Sequence, residues 1–177
     1  KHLGAAIWEP TASKIEMLGI ARRGATGADF AGDDAGDAGF LVMMNEIIQT
    51  RPDVHRGWLE AELDAQIFLA DLGNANAVSK MADDQTEGID RKVLWASLYR
   101  DEAGVNKLTL DFIFNDKVKT MLKASTAFLA GKKKFGKRKT LRPESVWDDM
   151  ARQVLKDRGL SSPLGKIDGV PLSQYKN

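Results

Sequence analysis

Ala5-Ala6-Ile7-Trp8-Glu9-Pro10-Thr11 joins a short apolar run to an aromatic, a carboxylate and a proline. A proline behind an apolar run ends a strand. It can also open a helix, because its fixed φ suits the first turn and it has no N–H to lose. The reading is therefore a buried strand over 3–8 and a helix from Pro10 to about Leu18. Trp8 and Glu9 then fall at the carboxyl end of a strand, where open α/β sheets place their ligands. An indole face beside a carboxylate suits a small polar or cationic ligand better than it suits catalysis.

Phe40-Leu41-Val42-Met43-Met44 reads as the best strand of the chain, a continuous apolar run covered on both faces. One or two helical turns over Asn45–Arg51 follow, and Pro52 and Asp53 open the longest helix, to about Asp71. Val54, Trp58, Ala61, Ala65, Phe68 and Leu72 recur at spacings of three and four and are expected to form its buried face. Gly73 reads as its C-cap.

Further helices are expected over 75–84, with Val78, Met81 and Ala82 inward, and from Asp90 through Tyr99, closed by Gly104. Trp95 and Tyr99 are four apart and meet on one face. Leu108, Leu110 and Phe112 alternate as a short strand. Asn115 or Asp116 caps a helix to about Leu129, with Val118, Leu122, Ala124, Ser125 and Leu129 along one stripe. Pro143 opens a last helix to Arg158, with Val146, Trp147, Met150, Val154 and Leu155 inward and Gly159 behind it. The remainder is a tail of weak extended character. So many apolar helices exceed what these few strands can cover, so part of a sheet is expected to be missing.

Composition narrows the function classes. The 177 residues are 43% hydrophobic and 29% charged, which fits a globular chain with a real core, of one domain or two small lobes. A net charge of +1 gives no global pull towards nucleic acid. The absence of cysteine removes disulfides, thiolate metal sites and a cysteine nucleophile. No apolar run reaches the roughly 18 residues of a membrane span. Lys1 stands two residues before the first expected strand, so the chain is expected to begin inside a larger unit.

Several local signals have plain readings. Lys132-Lys133-Lys134, Lys137-Arg138-Lys139 and Arg142 resemble a phosphate-contacting patch, but only Phe135 interrupts them, and a solvated loop is favoured. The Gly24–Gly39 loop, anchored by Phe30, carries Asp29, Asp33, Asp34 and Asp37 without EF-hand spacing, and reads as a polar turn. His2 and His55 have no partner at ligand spacing. Gly24-Ala25-Thr26-Gly27 is neither a P-loop nor a dinucleotide fingerprint. No sequence motif joins a nucleophile to a base.

Taken together, five segments resemble the nitrate/sulfonate/taurine-type periplasmic solute-binding proteins of ABC transporters. They are Ala5–Thr11 (AAIWEPT), Asp37–Asn45 (DAGFLVMMN), Arg51–Asp71 (RPDVHRGWLEAELDAQIFLAD), Lys92–Tyr99 (KVLWASLY) and Val154–Gln174 (VLKDRGLSSPLGKIDGVPLSQ). Their order and spacing run along essentially the whole chain, and they match the carboxyl-terminal half of that family.

The resemblance implies an α/β fold, the helix-rich part of a two-lobe, type II-like periplasmic-binding-protein fold with much of the sheet missing. Residues 1–23 would end the second lobe, 24–39 would be the hinge crossover, and 40–177 would be the carboxyl-terminal part of the first lobe. The family's cleft-lining W-(D/E)-P segment falls on Trp8, Glu9 and Pro10, which makes these the expected ligand-binding residues. Neither a cofactor nor a metal is implied. The expected partners are a small polar ligand, an ABC permease, and a second chain, an amino-terminal half or a second copy that covers the exposed surface. The expected location is periplasmic, and no nucleic-acid partner is expected. Two rival readings remain: an enzyme of the related pyrimidine-precursor synthesis branch, and a nucleic-acid-binding module built on Lys132–Arg142.

Overall fold

The computed structural model describes residues 4–25, 29, 39–100, 107–134, 136–137 and 139–176. Its helices are α1 (Thr11–Met17), α2 (Asn45–Thr50), α3 (Pro52–Ala70), α4 (Ala75–Gln85), α5 (Arg91–Tyr99), α6 (Asp116–Gly131) and α7 (Asp149–Asp157). Two four-residue strands, β1 (Lys107–Leu110) and β2 (Gly165–Asp168), pair in the one sheet found among the described residues. The chain is thus helix-rich with a small sheet, compatible with an α/β class. Phe30, Asp33, Asp34 and Asp37 of the 24–39 loop, along with His2, Gly104, Phe135 and Arg138, lie outside the described residues.

The starts of α1 to α6 follow the sequence closely. The Asp90 carboxylate accepts the Lys92 N–H at 2.8 Å, and Asn115 accepts that of Val118 at 2.8 Å. Each satisfies an N–H that the first turn leaves without an intrahelical partner. At the far end of α7, Gly159 takes φ +64°, so the Leu160 N–H can return to the Leu155 carbonyl at 2.9 Å. A residue with a Cβ would be strained in that conformation.

Two compact units emerge. The first draws on Lys1–Gly36, Gln66–Thr109 and Gly165–Asn177. Its core joins Ala75 of α4, Trp95, Ala96 and Tyr99 of α5, and Ile167 of β2, with Met17 and Leu69 packed against them. Helix α5 packs on α4 and on α1. Trp95 and Tyr99 meet as expected, with ring centroids 6.1 Å apart, and Tyr175 closes edge-on against Trp95 at 5.8 Å. The Val170 N–H donates to the Tyr99 carbonyl at 2.7 Å, which ties the tail to the end of α5.

The second unit comprises Asp37–Ala65 and Leu110–Leu164. Its core is Leu63 of α3, Phe112, and Ala151, Val154 and Leu155 of α7. Ion pairs Arg158–Asp64 at 2.7 Å and Arg56–Asp157 at 2.8 Å flank the meeting of α3 and α7.

Four expectations are corrected. Neither 4–8 nor Phe40–Met44 forms a strand: both lack a neighbouring strand, and Val42 is 93% exposed. A strand needs pairing to be stable, and no partner reaches these runs among the described residues. The expected buried face of α3 is its exposed one. Val54, Trp58, Ala61, Ala65, Phe68 and, just beyond the helix, Leu72 are all exposed, while Leu63 is fully buried and Leu59 partly so. The helix carries two apolar stripes, and contact with Phe112 and α7 selects the one that includes Leu59 and Leu63.

The last expected helix is broken. Pro143–Ser145 makes a single 3-10 turn, Val146–Asp148 leave helical geometry, and α7 begins at Asp149. Asp148 is drawn away by the Phe114 N–H, which donates to its Oδ2 at 3.0 Å. Side chains at Met81, Ala124, Ser125, Leu129 and Trp147, expected inward, are exposed.

Candidate functional site

Pro10 has no side-chain acceptor, so helix α1 starts without a capping side chain at that position. Glu9 supplies the missing acceptor. Its Oε2 receives the backbone N–H of Ser13 at 3.1 Å, one of the orphan donors of the first turn. The carboxylate also sits at the positive end of the short helix, which favours its charge. This leaves Glu9 fixed one residue beyond an indole that stands in solvent: Trp8 is 81% exposed, and its carbonyl accepts the Ala12 N–H at 3.1 Å. Pro10 is half-buried behind them.

The second carboxylate oxygen of Glu9 pairs with Arg23 Nη2. That guanidinium is shared: its Nε reaches Glu16 at 3.2 Å, and its Nη2 lies 3.2 Å from Ser13 Oγ. Glu16 in turn receives Arg100, which stands just past α5. Glu9, Arg23, Glu16 and Arg100 therefore alternate in sign along one continuous network, wrapped round a Ser13 that is fully buried. Burial pushes the Glu16 carboxyl up, but hydrogen bonds and charge from Arg100 and Arg23 outweigh it and hold the group below its ordinary value. Burial likewise pushes Arg23 down, and Glu9 and Glu16 outweigh it, leaving Arg23 above its ordinary value.

What this arrangement can do is hold and present. The Ser13 hydroxyl faces a guanidinium, which cannot take its proton, so the pair is not a nucleophile with its base. The two acids and two cations neutralise each other. They fix the direction in which the Trp8–Pro10 corner leaves α1. Each Glu9 oxygen retains acceptor capacity beyond its present partner.

The structure thus brings Trp8, Glu9 and Pro10 together at one helix start and adds Ser13, Glu16, Arg23 and Arg100, which the sequence reading did not single out. Ser13 lies four residues from Glu9 and Glu16 seven from Arg23, spacings that carry no motif. Arg100 joins only through the packing of α5 on α1. An open hollow of about 440 Å³ lies on α6, lined by Ala124, Ser125, Phe128 and Leu129, and none of the three expected ligand residues borders it. Among the described residues, no group of three or more His, Cys, Asp or Glu could hold a metal ion. No described helix is long and apolar enough to cross a membrane. Compared with protein-family models, curated proteins and solved structures, the chain matches none.

Proposed function

We propose that this chain belongs to a non-catalytic, periplasmic solute-binding component of an ABC importer, taking a small polar molecule of the sulfonate, taurine or nitrate class. The observation that carries the reading is Trp8: an indole almost wholly in solvent, beside a carboxylate held in place by Ser13 and Arg23. An exposed aromatic face on a fixed corner suits stacking against a ligand, and Glu9 accepts a charge-assisted hydrogen bond from a ligand nitrogen. The resemblance of the five sequence segments supplies the rest: two lobes, hinge closure over the solute, and docking of the closed state on a membrane permease. In that architecture the runs at 5–8 and 40–44 would pair with strands of a sheet supplied by the remainder of the lobes.

Titrating taurine, alkylsulfonates and nitrate against Trp fluorescence and thermal unfolding tests the reading. For an amine-bearing ligand, Glu9→Gln weakens binding at least about tenfold, because a hydrogen bond to a charged group is worth about 1.5–3 kcal/mol. For a simple anion the same change leaves binding unchanged or tighter. A ligand bound equally well by Trp8→Ala and Glu9→Gln takes the site away from this corner. Turnover of any of these compounds would move the protein to the enzyme class.

A further inference from the structure

Charge is distributed unevenly along this nearly neutral chain. Of its 26 Lys and Arg, ten fall between residues 116 and 142, against a single acid, Asp116. Eight of the ten are lysine. The described lysines of the segment that follows α6, namely Lys132, Lys133, Lys134, Lys137 and Lys139, are exposed.

Apolar groups lie among these cations. Phe128 is 63% exposed, Leu129 is exposed beside it, and Lys132 Nζ stands 5.6 Å from the centre of the Phe128 ring. Ala124 and Ser125, one turn earlier, complete the open hollow in front of the ring. The end of α6 thus offers an exposed aromatic and an exposed leucine, with Lys132 over the ring and further exposed lysines following in the chain.

We propose that the end of α6 and the lysines that follow it form a docking surface for an anionic lipid bilayer. A bilayer supplies both things this surface lacks: negative headgroups for the lysines, and an acyl boundary into which Phe128 and Leu129 can dip. Lysine, a compact point charge on a flexible stem, suits a fluid array of headgroups and needs no fixed bidentate geometry. A nucleic-acid duplex would satisfy the lysines but would leave Phe128 and Leu129 without a partner. The proposal stands independently of the solute-binding reading.

The test mixes the full chain with vesicles of phosphatidylcholine, with vesicles in which part of that lipid is replaced by phosphatidylglycerol, and with duplex DNA, at low and at high salt. Sedimentation or flotation reads the bound fraction. The expected result is binding to the phosphatidylglycerol vesicles alone, lost at high salt. Lys132→Glu, Lys133→Glu and Lys134→Glu together weaken it at least about tenfold, and Phe128→Ser weakens it about fivefold. All four positions are exposed, so the fold tolerates the changes. Three results overturn the proposal: no vesicle binding, binding to DNA in its place, or vesicle binding indifferent to Phe128→Ser.

Discussion

Tyr99 donates its hydroxyl to the carbonyl of Leu69, thirty residues away, at 3.2 Å. Leu69 lies in the last turn of α3, where carbonyls have no partner within the helix. The fully buried Tyr99 therefore ends one helix with its side chain while its own carbonyl receives Val170 from the tail. Three segments distant in sequence are joined through this residue, with the Trp95 ring packed alongside.

Burial pushes the Tyr99 hydroxyl up to about 12 from the ordinary 10.0, because the phenolate would lose its hydration. The folded state resists ionisation more than the unfolded chain does. The stability this residue contributes is thus fully present below pH 10 and is lost as pH rises towards about 12. The chain has two tyrosines, and Tyr175→Phe leaves Tyr99 as the only one. In that variant the near-ultraviolet rise of tyrosinate is expected near pH 12, coincident with loss of helical circular dichroism. A midpoint near 10 in a still-folded protein contradicts this environment.

Leu63 and Trp58 report which stripe of α3 is buried. Leu63 is fully buried and Trp58 is 56% exposed. Leu63→Ala is expected to cost about 2–5 kcal/mol in urea unfolding. Trp58→Ser is expected to change stability by no more than about 0.5 kcal/mol. The opposite ranking would restore the stripe that periodicity suggests.

Helix positions were legible because their signals are local. Asp90, Asn115, Pro52 and Gly159 each act within one turn of where they stand. What was illegible depends on partners. Periodicity along α3 shows two apolar stripes, Val54–Trp58–Ala61–Ala65 and Leu59–Leu63, and nothing local says which one meets Phe112 and α7. Phe40–Met44 has the composition of a strand, but composition brings no neighbour to pair with it. At the candidate site, the sequence points to Trp8 and Glu9 as a pair. The hold of Arg23 on Glu9 needs the chain beyond α1 to return to the helix start, and that of Arg100 on Glu16 arises only once α1 lies on α5.

Glu16 should make part of the stability depend on acid. Its carboxyl is held below its ordinary value of 4.5, so its contribution is present above that pH and is lost as pH falls through the lower folded value. Glu16→Gln removes the charge that Arg100 and Arg23 share. At pH 7 it is expected to destabilise by about 1–2 kcal/mol, since the groups are only partly buried. Below about pH 4.5 the gap between Glu16→Gln and the unaltered protein narrows, because protonation does to Glu16 what the substitution does. Urea midpoints across pH 3–7 measure the gap. A gap that holds constant down to the acid transition removes the network from the pH dependence.

The exposed apolar runs should make the chain associate. Leu41, Val42 and Met44 lie open to solvent with no paired strand among the described residues, and along α3 Val54, Trp58 and Phe68 are exposed as well. Monomeric proteins rarely leave extensive apolar surface uncovered, and unpaired extended runs are templates for pairing with another chain. Native mass spectrometry across a concentration series is expected to show species heavier than the 19.5 kDa chain. A heavier species at a simple multiple means self-association; one heavier by a different polypeptide means a partner that covers these surfaces. Val42→Lys and Trp58→Lys place charges on these surfaces and should shift the distribution towards the single chain, with little loss of folding stability because both sites are exposed. A single chain at every concentration, unaltered by either substitution, would mean that these surfaces are tolerated in water.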